Sequence, residues 1–377
     1  MLYGLYIHVP FCRKKCGYCG FYSVPLENRE ILALYVKKLL AEIRERLIPF
    51  KGDAADTIFF GGGTPSLLDP EIIKKILDEV RGGINLAQNT EISLEVNPED
   101  VHSDRLSGYL NAGVNRFVLG LQTSSERLHE IIMRSPKLCD KKTLEAFFKI
   151  KGAVRCLDLM TGIPGETWDE LFQDIETALR FEPEHISAYL LTLESGTRLA
   201  ESFVPGPEFS GFQREAFEKT VSLLKSRGYI HYEISNFCLP GFECRHNMKY
   251  WNYEPYIGFG PSAHSFFHGE RFMNRMSAHE YLTADKFSLT RDERSKNSSL
   301  VEFIMTKLRL LKGFSREEFR ERLGLDIPEP VMERIMGLSG KGLLEISHNR
   351  ADINVRLTTE GLYLADSVIY EAVEPLL

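Results

Sequence analysis

The sequence predicts an α/β protein: six β-α units in series with their strands in a parallel sheet, then a small C-terminal α+β module of winged-helix type. Three observations predict it. Short apolar runs alternate with helix-period patterns through roughly the first 230 residues, as expected for parallel strands joined by right-handed helical crossovers. In "EISLEV", Ile92, Leu94 and Val96 share one strand face while Glu91, Ser93 and Glu95 share the other. A strand covered by helices on both faces is apolar throughout, so this pattern favours a sheet curved into a partial barrel with a wet interior over an open, doubly wound sheet. After about residue 230 the alternation stops, and helices, a hairpin and a last helix follow.

Strands are expected near 3–9, 56–60, 91–96, 114–121, 154–160 and 185–192. Helices are expected near 28–48, 70–82, 103–112, 124–133 with 141–151, 167–181 and 211–227. In the second helix Asp69 is placed to cap and Pro70 suits the first position. Ile72, Ile73, Ile76, Leu77 and Val80 then recur on one face, and Gly82 is placed to end it. The helix near 167–181 is expected to bury Trp168, Leu171, Phe172, Ile175 and Leu179. "YIHYEISNF" reads as a further strand, and the Gly/Pro/aromatic stretch to about residue 268 is too long for an idle connection. The expected organisation is a partial barrel over 1–230, an extension over 231–289, and a helical segment with the strands "LLEISH" and "INVRLT" around "NRAD" over 290–377.

Composition narrows the function classes. The chain has 377 residues, 43% hydrophobic and 26% charged, which is ordinary for a globular protein. No apolar run approaches the roughly 20 residues of a membrane helix. The opening MLYGLYIHVPF lacks a basic leader and a cleavage site and reads as a strand. A net charge of −7 argues against a nucleic-acid enzyme. Seven cysteines without regular spacing point to a reducing cytoplasm rather than a disulfide framework.

Cys12, Cys16 and Cys19 stand at the end of the first strand, separated by three and then two residues. Zinc would need a fourth ligand, His8 or a distant residue. An iron–sulfur cluster held by three thiolates keeps one iron open for a substrate or cofactor. Arg13, Lys14 and Lys15 inside the loop would favour thiolates and offset cluster charge. Further on, "FFGGGTPS" follows the second strand, where glycines let backbone amides approach a ligand. Glu95, Gln122 and Asp158 sit at or near later strand ends, the mouth at which barrels collect function.

The CxxxCxxC loop, with Tyr18 before its last cysteine, resembles the signature of the radical S-adenosylmethionine (SAM) superfamily. The resemblance implies a partial (β/α)6 barrel and a [4Fe–4S] cluster whose open iron is chelated by the amino and carboxylate groups of SAM. Reduction would then cleave SAM to a 5′-deoxyadenosyl radical. "YIHVPFCRKKCGYC", "FFGGGTPSLL", "LEVNPE", "GVNRFVLGLQ", "LDLMTGIPGET", "HISAYLLTLESGT" and "YEISNF" resemble the coproporphyrinogen dehydrogenase-like group within it. In that group the residues matching Tyr6, Tyr18, Gly62, Gly63, Thr64, Glu95, Gln122, Arg134 and Asp158 contact SAM. Two departures stand out. The group has a glycine-arginine pair and then a histidine after the fourth strand, where this chain reads "IIMRSPKLCDKK", keeping Arg134 behind a methionine. Gly20 follows Cys19 where acidic residues are usual.

The group holds oxygen-independent coproporphyrinogen dehydrogenases and HemW-type heme chaperones. The dehydrogenases carry a substantial extension before the cysteine loop, whereas eleven residues precede Cys12 here. "RHNMKYW" fits the HNxxYW pattern of the chaperones at His246, Asn247, Tyr250 and Trp251; in that family the histidine is implicated in heme binding. An imidazole is a standard axial ligand for heme iron, and flanking aromatics suit a flat macrocycle. On the residues alone, a loop histidine in a hydrogen-bond network is the plainer reading. Cys238, Cys244 and His264 nearby fit no common zinc spacing. The resemblance therefore implies a heme carrier with heme or a porphyrin as cargo, an acceptor protein, an electron donor such as flavodoxin or ferredoxin, and association with a membrane surface. The alternative is oxidative decarboxylation of the propionates of coproporphyrinogen III. Nucleic-acid modification by the winged-helix tail is disfavoured by the acidic balance.

Overall fold

The computed structural model describes residues 1–134, 141–274, 276–349 and 352–377. Residues 135–140 of the divergent segment after the fourth strand, and Arg350 and Ala351 of "NRAD", lie outside the described residues. The described chain divides into two compact units, Met1–Leu223 with Pro255–Arg291, and Leu224–Glu254 with Asp292–Leu377. The segment expected as one extension, 231–289, is thus shared between them.

In the first unit the six expected strands form as Leu2–Val9 (β1), Ala54–Gly62 (β2), Asn85–Val96 (β3), Arg116–Gln122 (β4), Val154–Thr161 (β5) and His185–Leu190 (β6). They lie in sequential order and every neighbouring pair is parallel, with Tyr6 opposite Phe59, Phe59 opposite Ser93, Glu95 opposite Val118, Gly120 opposite Asp158 and Asp158 opposite Ser187. Sequential parallel order with helical crossovers is the (β/α) winding that the alternation predicts. The free side of β1 pairs in parallel with Tyr256–Phe259, and the strands His264–Phe267, Glu270–Met273 and Thr290–Arg291 continue the sheet antiparallel.

The crossover helices are Arg29–Arg46 (α1), Pro70–Gly83 (α2), Ser103–Ala112 (α3), Glu126–Ile131 (α4), Lys141–Phe148 (α5) and Trp168–Arg180 (α6). Two details differ from the sequence reading. Asp69 sits at the N-cap of α2 without a capping hydrogen bond, because its carboxylate pairs with Arg105 at 3.0 Å, and the helix runs on through Gly82 to Gly83. In α6, Leu171, Ile175 and Leu179 are buried as expected, but Trp168 is only half-buried, Phe172 is 40% exposed, and Asp174 and Ala178 take the remaining inward positions. Each fully buried aliphatic side chain contributes roughly 1.5–3 kcal/mol, so the inward faces of α2 and α6 suffice to hold these helices on the sheet.

The second unit carries the antiparallel hairpin Ile230–Glu233 with Asn236–Cys238, the short helix Arg245–Trp251, and the helices Ser298–Lys307, Arg316–Leu323 and Glu329–Gly340. Strands Leu344–Asn349 and Asp352–Leu357 pair antiparallel, Phe314–Ser315 joins the outer side of the latter, and helices Thr359–Tyr363 and Ala365–Val373 follow. Helices ahead of a small hairpin sheet match the winged-helix expectation. Among the described residues no helix is long and apolar enough to cross a membrane.

Candidate functional site

The cysteine loop is held by backbone bonds from several elements. Leu26 N–H donates to the Cys12 carbonyl (2.8 Å) and Gly63 N–H to the Val9 carbonyl (2.8 Å). Gly17 N–H donates to the carbonyl of Ile132, just after α4 (3.0 Å), and its own carbonyl accepts from Leu199 N–H (2.9 Å). The Arg198 guanidinium donates to the Lys15 carbonyl at 2.7 Å. Burial pushes the Cys19 thiol up; the Phe21 backbone and the Lys15 ammonium pull it down, and Cys12 and Cys16 push it up. The basic run is not the uniform counter-charge the sequence suggested. Arg13 is committed to Asp100, at 2.5 and 3.0 Å, and to Glu99 at 3.3 Å, while Lys15 acts on the Cys19 thiol.

The glycine loop brings backbone against this wall. Gly62 has φ +114°, and a Cβ there would lie 2.6 Å from the His8 ring. A Cβ on Gly63 would lie 2.6 Å from the Phe11 carbonyl and 3.0 Å from Cys12 Sγ. Only glycine permits that approach. His8 does not serve as a fourth ligand: Nδ1 meets the Tyr6 hydroxyl at 3.0 Å and Nε2 the Tyr22 carbonyl at 2.9 Å. Among the described residues no three His, Cys, Asp or Glu side chains form a site for a single metal ion.

A cavity of about 590 Å³ opens at the C-terminal ends of the strands. Cys12, Cys16, Cys19, Tyr18, Gly62, Gly63, Thr64, Glu95, Gln122, Arg134 and Asp158 all line it. The structure thus brings together every residue expected at the cluster and SAM site except Tyr6, and His246, expected at heme, lies elsewhere. Tyr6 does not line the cavity; its hydroxyl is turned to His8, and burial together with the nearby Glu95 charge pushes the phenol up. His246 belongs to the second unit.

The electrostatics of the cavity are dominated by two acids. Burial, then the charge of Asp158, pushes Glu95 up to about 8, while the Gly62 N–H partly offsets this. Burial pushes Asp158 up to about 6, against a hydrogen bond from Ser187 and the charges of Arg134 and Arg116. One Asp158 oxygen, Oδ1, is buried without a hydrogen-bond partner. Arg134 ties three walls together, donating to the Tyr18 hydroxyl (3.1 Å), Asn97 Oδ1 (2.7 Å) and the Gly120 carbonyl (2.8 Å). Gln122 reaches the cavity from φ +68°, where β4 slips register against β5. Strain of this kind concentrates at functional sites.

Sequence reasoning missed Asn97, Met133, Met160, Tyr189 and Glu194 among the lining residues. Asn97 had a signal, a polar residue directly after β3. Glu194 had none: it comes from the chain after β6, and its stem packs 3.2 Å from where a Cβ on Gly20 would sit.

In the second unit His246 lies on Arg245–Trp251 and is 1% exposed, with Nε2 2.8 Å from the Tyr250 hydroxyl. Burial, then the Lys249 charge, pushes it down to about 3, so it is a neutral imidazole at pH 7. Cys238 and Cys244 are buried in this unit, whereas His264 belongs to the first.

Residues 6–178 match the radical SAM superfamily model and residues 295–364 the HemN C-terminal domain model. The heme chaperone HemW of Escherichia coli (strain K12) is 34% identical, over 87% of this chain and 89% of that protein. The heme chaperone HemW of Bacillus subtilis (strain 168) is 33% identical, over 96% of this chain and 97% of that protein. The solved structure of the E. coli coproporphyrinogen III oxidase HemN, a radical SAM enzyme, superposes with a TM-score of 0.83 at 20% identity, covering 98% of this chain and 89% of that one, a likeness of fold. The chain belongs to the HemW family of the radical SAM superfamily.

Proposed function

We propose that this protein is a heme chaperone, which binds heme, carries a SAM-coordinating [4Fe–4S] cluster on Cys12, Cys16 and Cys19, and passes heme to acceptor proteins. The carrying observation is that a heme chaperone HemW aligns with 96% of the chain at 33% identity. The residues present fit the cofactors. Three thiols share one cavity wall, Gly63 leaves that wall clear for a bulky group, and a buried carboxylate oxygen of Asp158 waits opposite without a partner. When bound, the cluster supplies one-electron reduction to SAM at an iron free of protein thiolate.

The chain's own residues have definable tasks in this reading. Glu95 and Asp158 would receive the cationic part of SAM; Glu95 would lose its proton as that charge entered, because an opposite charge offsets the desolvation that holds it protonated, whereas Asp158, raised only to about 6, is already largely ionised at pH 7. Gly62 N–H orients Glu95, and Arg134 holds Tyr18 and Asn97 in place. Gln122 and Thr64 complete the polar lining. His246 would hold the heme iron through Nε2, the atom that the Tyr250 hydroxyl now engages. The protein works in the cytoplasm with flavodoxin or ferredoxin as electron donor, and meets its acceptor at a membrane surface.

The test is a reconstituted, anaerobic sample. Incubated with SAM, a reductant and coproporphyrinogen III it yields no protoporphyrinogen IX, while hemin titration gives a Soret band that His246→Ala weakens about tenfold in affinity, ~1.4 kcal/mol. Multiple turnover of the porphyrinogen would replace this reading with the decarboxylase, and identical heme binding by the variant would remove His246 from the site.

A further inference from the structure

The two glycines that follow cysteines in the N-terminal loop have side chains from distant segments pressed against them, and at Gly17 the fit is closest. A Cβ on Gly17 would lie 2.7 Å from Met133 Sδ and 2.9 Å from both Met133 Cβ and Cγ. The thioether end can rotate away, but the Met133 Cβ is placed by its backbone, so no rotamer makes room. That backbone is held at φ +52°, a left-handed conformation that glycine takes freely and methionine does not. Three consecutive residues then grip the loop in turn. The Ile132 carbonyl accepts the Gly17 N–H, the Met133 side chain packs on the Gly17 Cα, and the Arg134 guanidinium binds the Tyr18 hydroxyl. Met133 also lines the cavity beside the three thiols.

We propose that Met133 is a positioning residue for the cysteine loop: its side chain is the wall that seats Gly17, fixes the spacing of Cys16 and Cys19, and keeps water from that side of the cluster. The proposal rests on the reading above that these thiols hold a [4Fe–4S] cluster. It explains why the chain tolerates a strained methionine. Glycine would relieve the backbone but leave Gly17 unsupported and the thiolates open to solvent, and solvent exposure is one of the factors that set cluster potential.

The experiment uses the full chain, reconstituted anaerobically with iron and sulfide, as wild type, Gly17→Ala, Met133→Gly, Met133→Leu and Gly17→Ala combined with Met133→Gly. Iron and sulfide per chain, the midpoint potential followed in the visible band, and apo-protein melting are measured. Gly17→Ala is expected to lose at least half its iron, and Met133→Gly in the same chain to restore it by clearing the clash. Met133→Gly alone is expected to raise the midpoint potential, since water favours the more highly charged reduced cluster, while Met133→Leu keeps the wild-type value. Full iron in Gly17→Ala, no recovery in the double variant, or a Met133→Gly potential equal to wild type would overturn the proposal. Should Gly17→Ala fail to fold, the Met133→Gly and Met133→Leu potentials decide alone. A wild-type chain that takes up no iron defeats the cluster reading itself, whereas a wild type with a full cluster and indifferent variants defeats only the role of Met133.

Discussion

Glu95 carries the largest electrostatic conflict in the cavity: an acid raised from 4.5 to about 8 by burial and by the charge of Asp158. The raised value means that the folded, ligand-free protein prefers the protonated acid. Its stability is therefore fully present below the unfolded value and is lost as pH rises through the folded one. Glu95→Gln removes the conflict. Between pH 7 and 9 it should stabilise the ligand-free protein by about 1–3 kcal/mol in urea unfolding, with the gain shrinking toward pH 4. The same substitution should abolish SAM binding, and wild-type binding near pH 7 should release protons, visible in calorimetry as a heat that changes with buffer. Part of this was legible in the sequence, because strict alternation in "EISLEV" puts Glu95 on the polar face and at the strand's end. Met133 at φ +52° and Gln122 at φ +68° were not, since nothing in a methionine or glutamine announces a left-handed backbone. Arg13 was misread for a related reason. Its partner Asp100 is 87 residues away, and local sequence shows a charge without showing what neutralises it.

Among the elements, α6 shows what periodicity reveals and what it leaves out. Thr167 and Glu170 form a full capping box, the Thr167 side chain accepting from Glu170 N–H while the Glu170 side chain accepts from Thr167 N–H. Thr167→Ala should cost about 1 kcal/mol. Along the helix, Ile175→Ala should cost 2–5 kcal/mol, roughly, because Ile175 is fully buried. Phe172→Ser should fall within about 0.5 kcal/mol of wild type, because that ring is 40% exposed. Urea unfolding of the three variants checks the order; a costly Phe172→Ser would mean the inward face is the one read from apolar spacing. That spacing marks a stripe but cannot rank its edges, and here Asp174, bonded to Ser124 N–H at 2.6 Å, takes an inward place that an apolar count assigns to Phe172. The order of the β-α units was legible for the opposite reason, since each unit is local in sequence. The pairing of β1 with Tyr256–Phe259 joins residues some 250 apart, and no local pattern encodes it.

For the molecule as a whole, the thiols and the two buried carboxylates lie in the first unit and His246 in the second. The thiol and carboxylate groups meet in a cavity already open, but His246 is closed, 1% exposed with its Nε2 against the Tyr250 hydroxyl. In the proposed function, iron coordination at Nε2 would first have to break that hydrogen bond and expose the ring. Apparent heme affinity is then the intrinsic affinity scaled by the fraction of molecules in the open form. Burial keeps the ring neutral down to about pH 3, so protonation does not limit ligation at pH 7; opening does. Tyr250→Phe keeps the aromatic packing and removes the competing hydroxyl, a hydrogen bond worth about 1 kcal/mol. Rapid mixing with hemin should therefore show the Soret band forming about fivefold faster in Tyr250→Phe than in wild type, with the same final spectrum. His246→Ala should show no axial-histidine spectrum at any rate. If Tyr250→Phe binds no faster, the hydroxyl does not gate the ligand; if the histidine signature survives in His246→Ala, the iron is held by another imidazole.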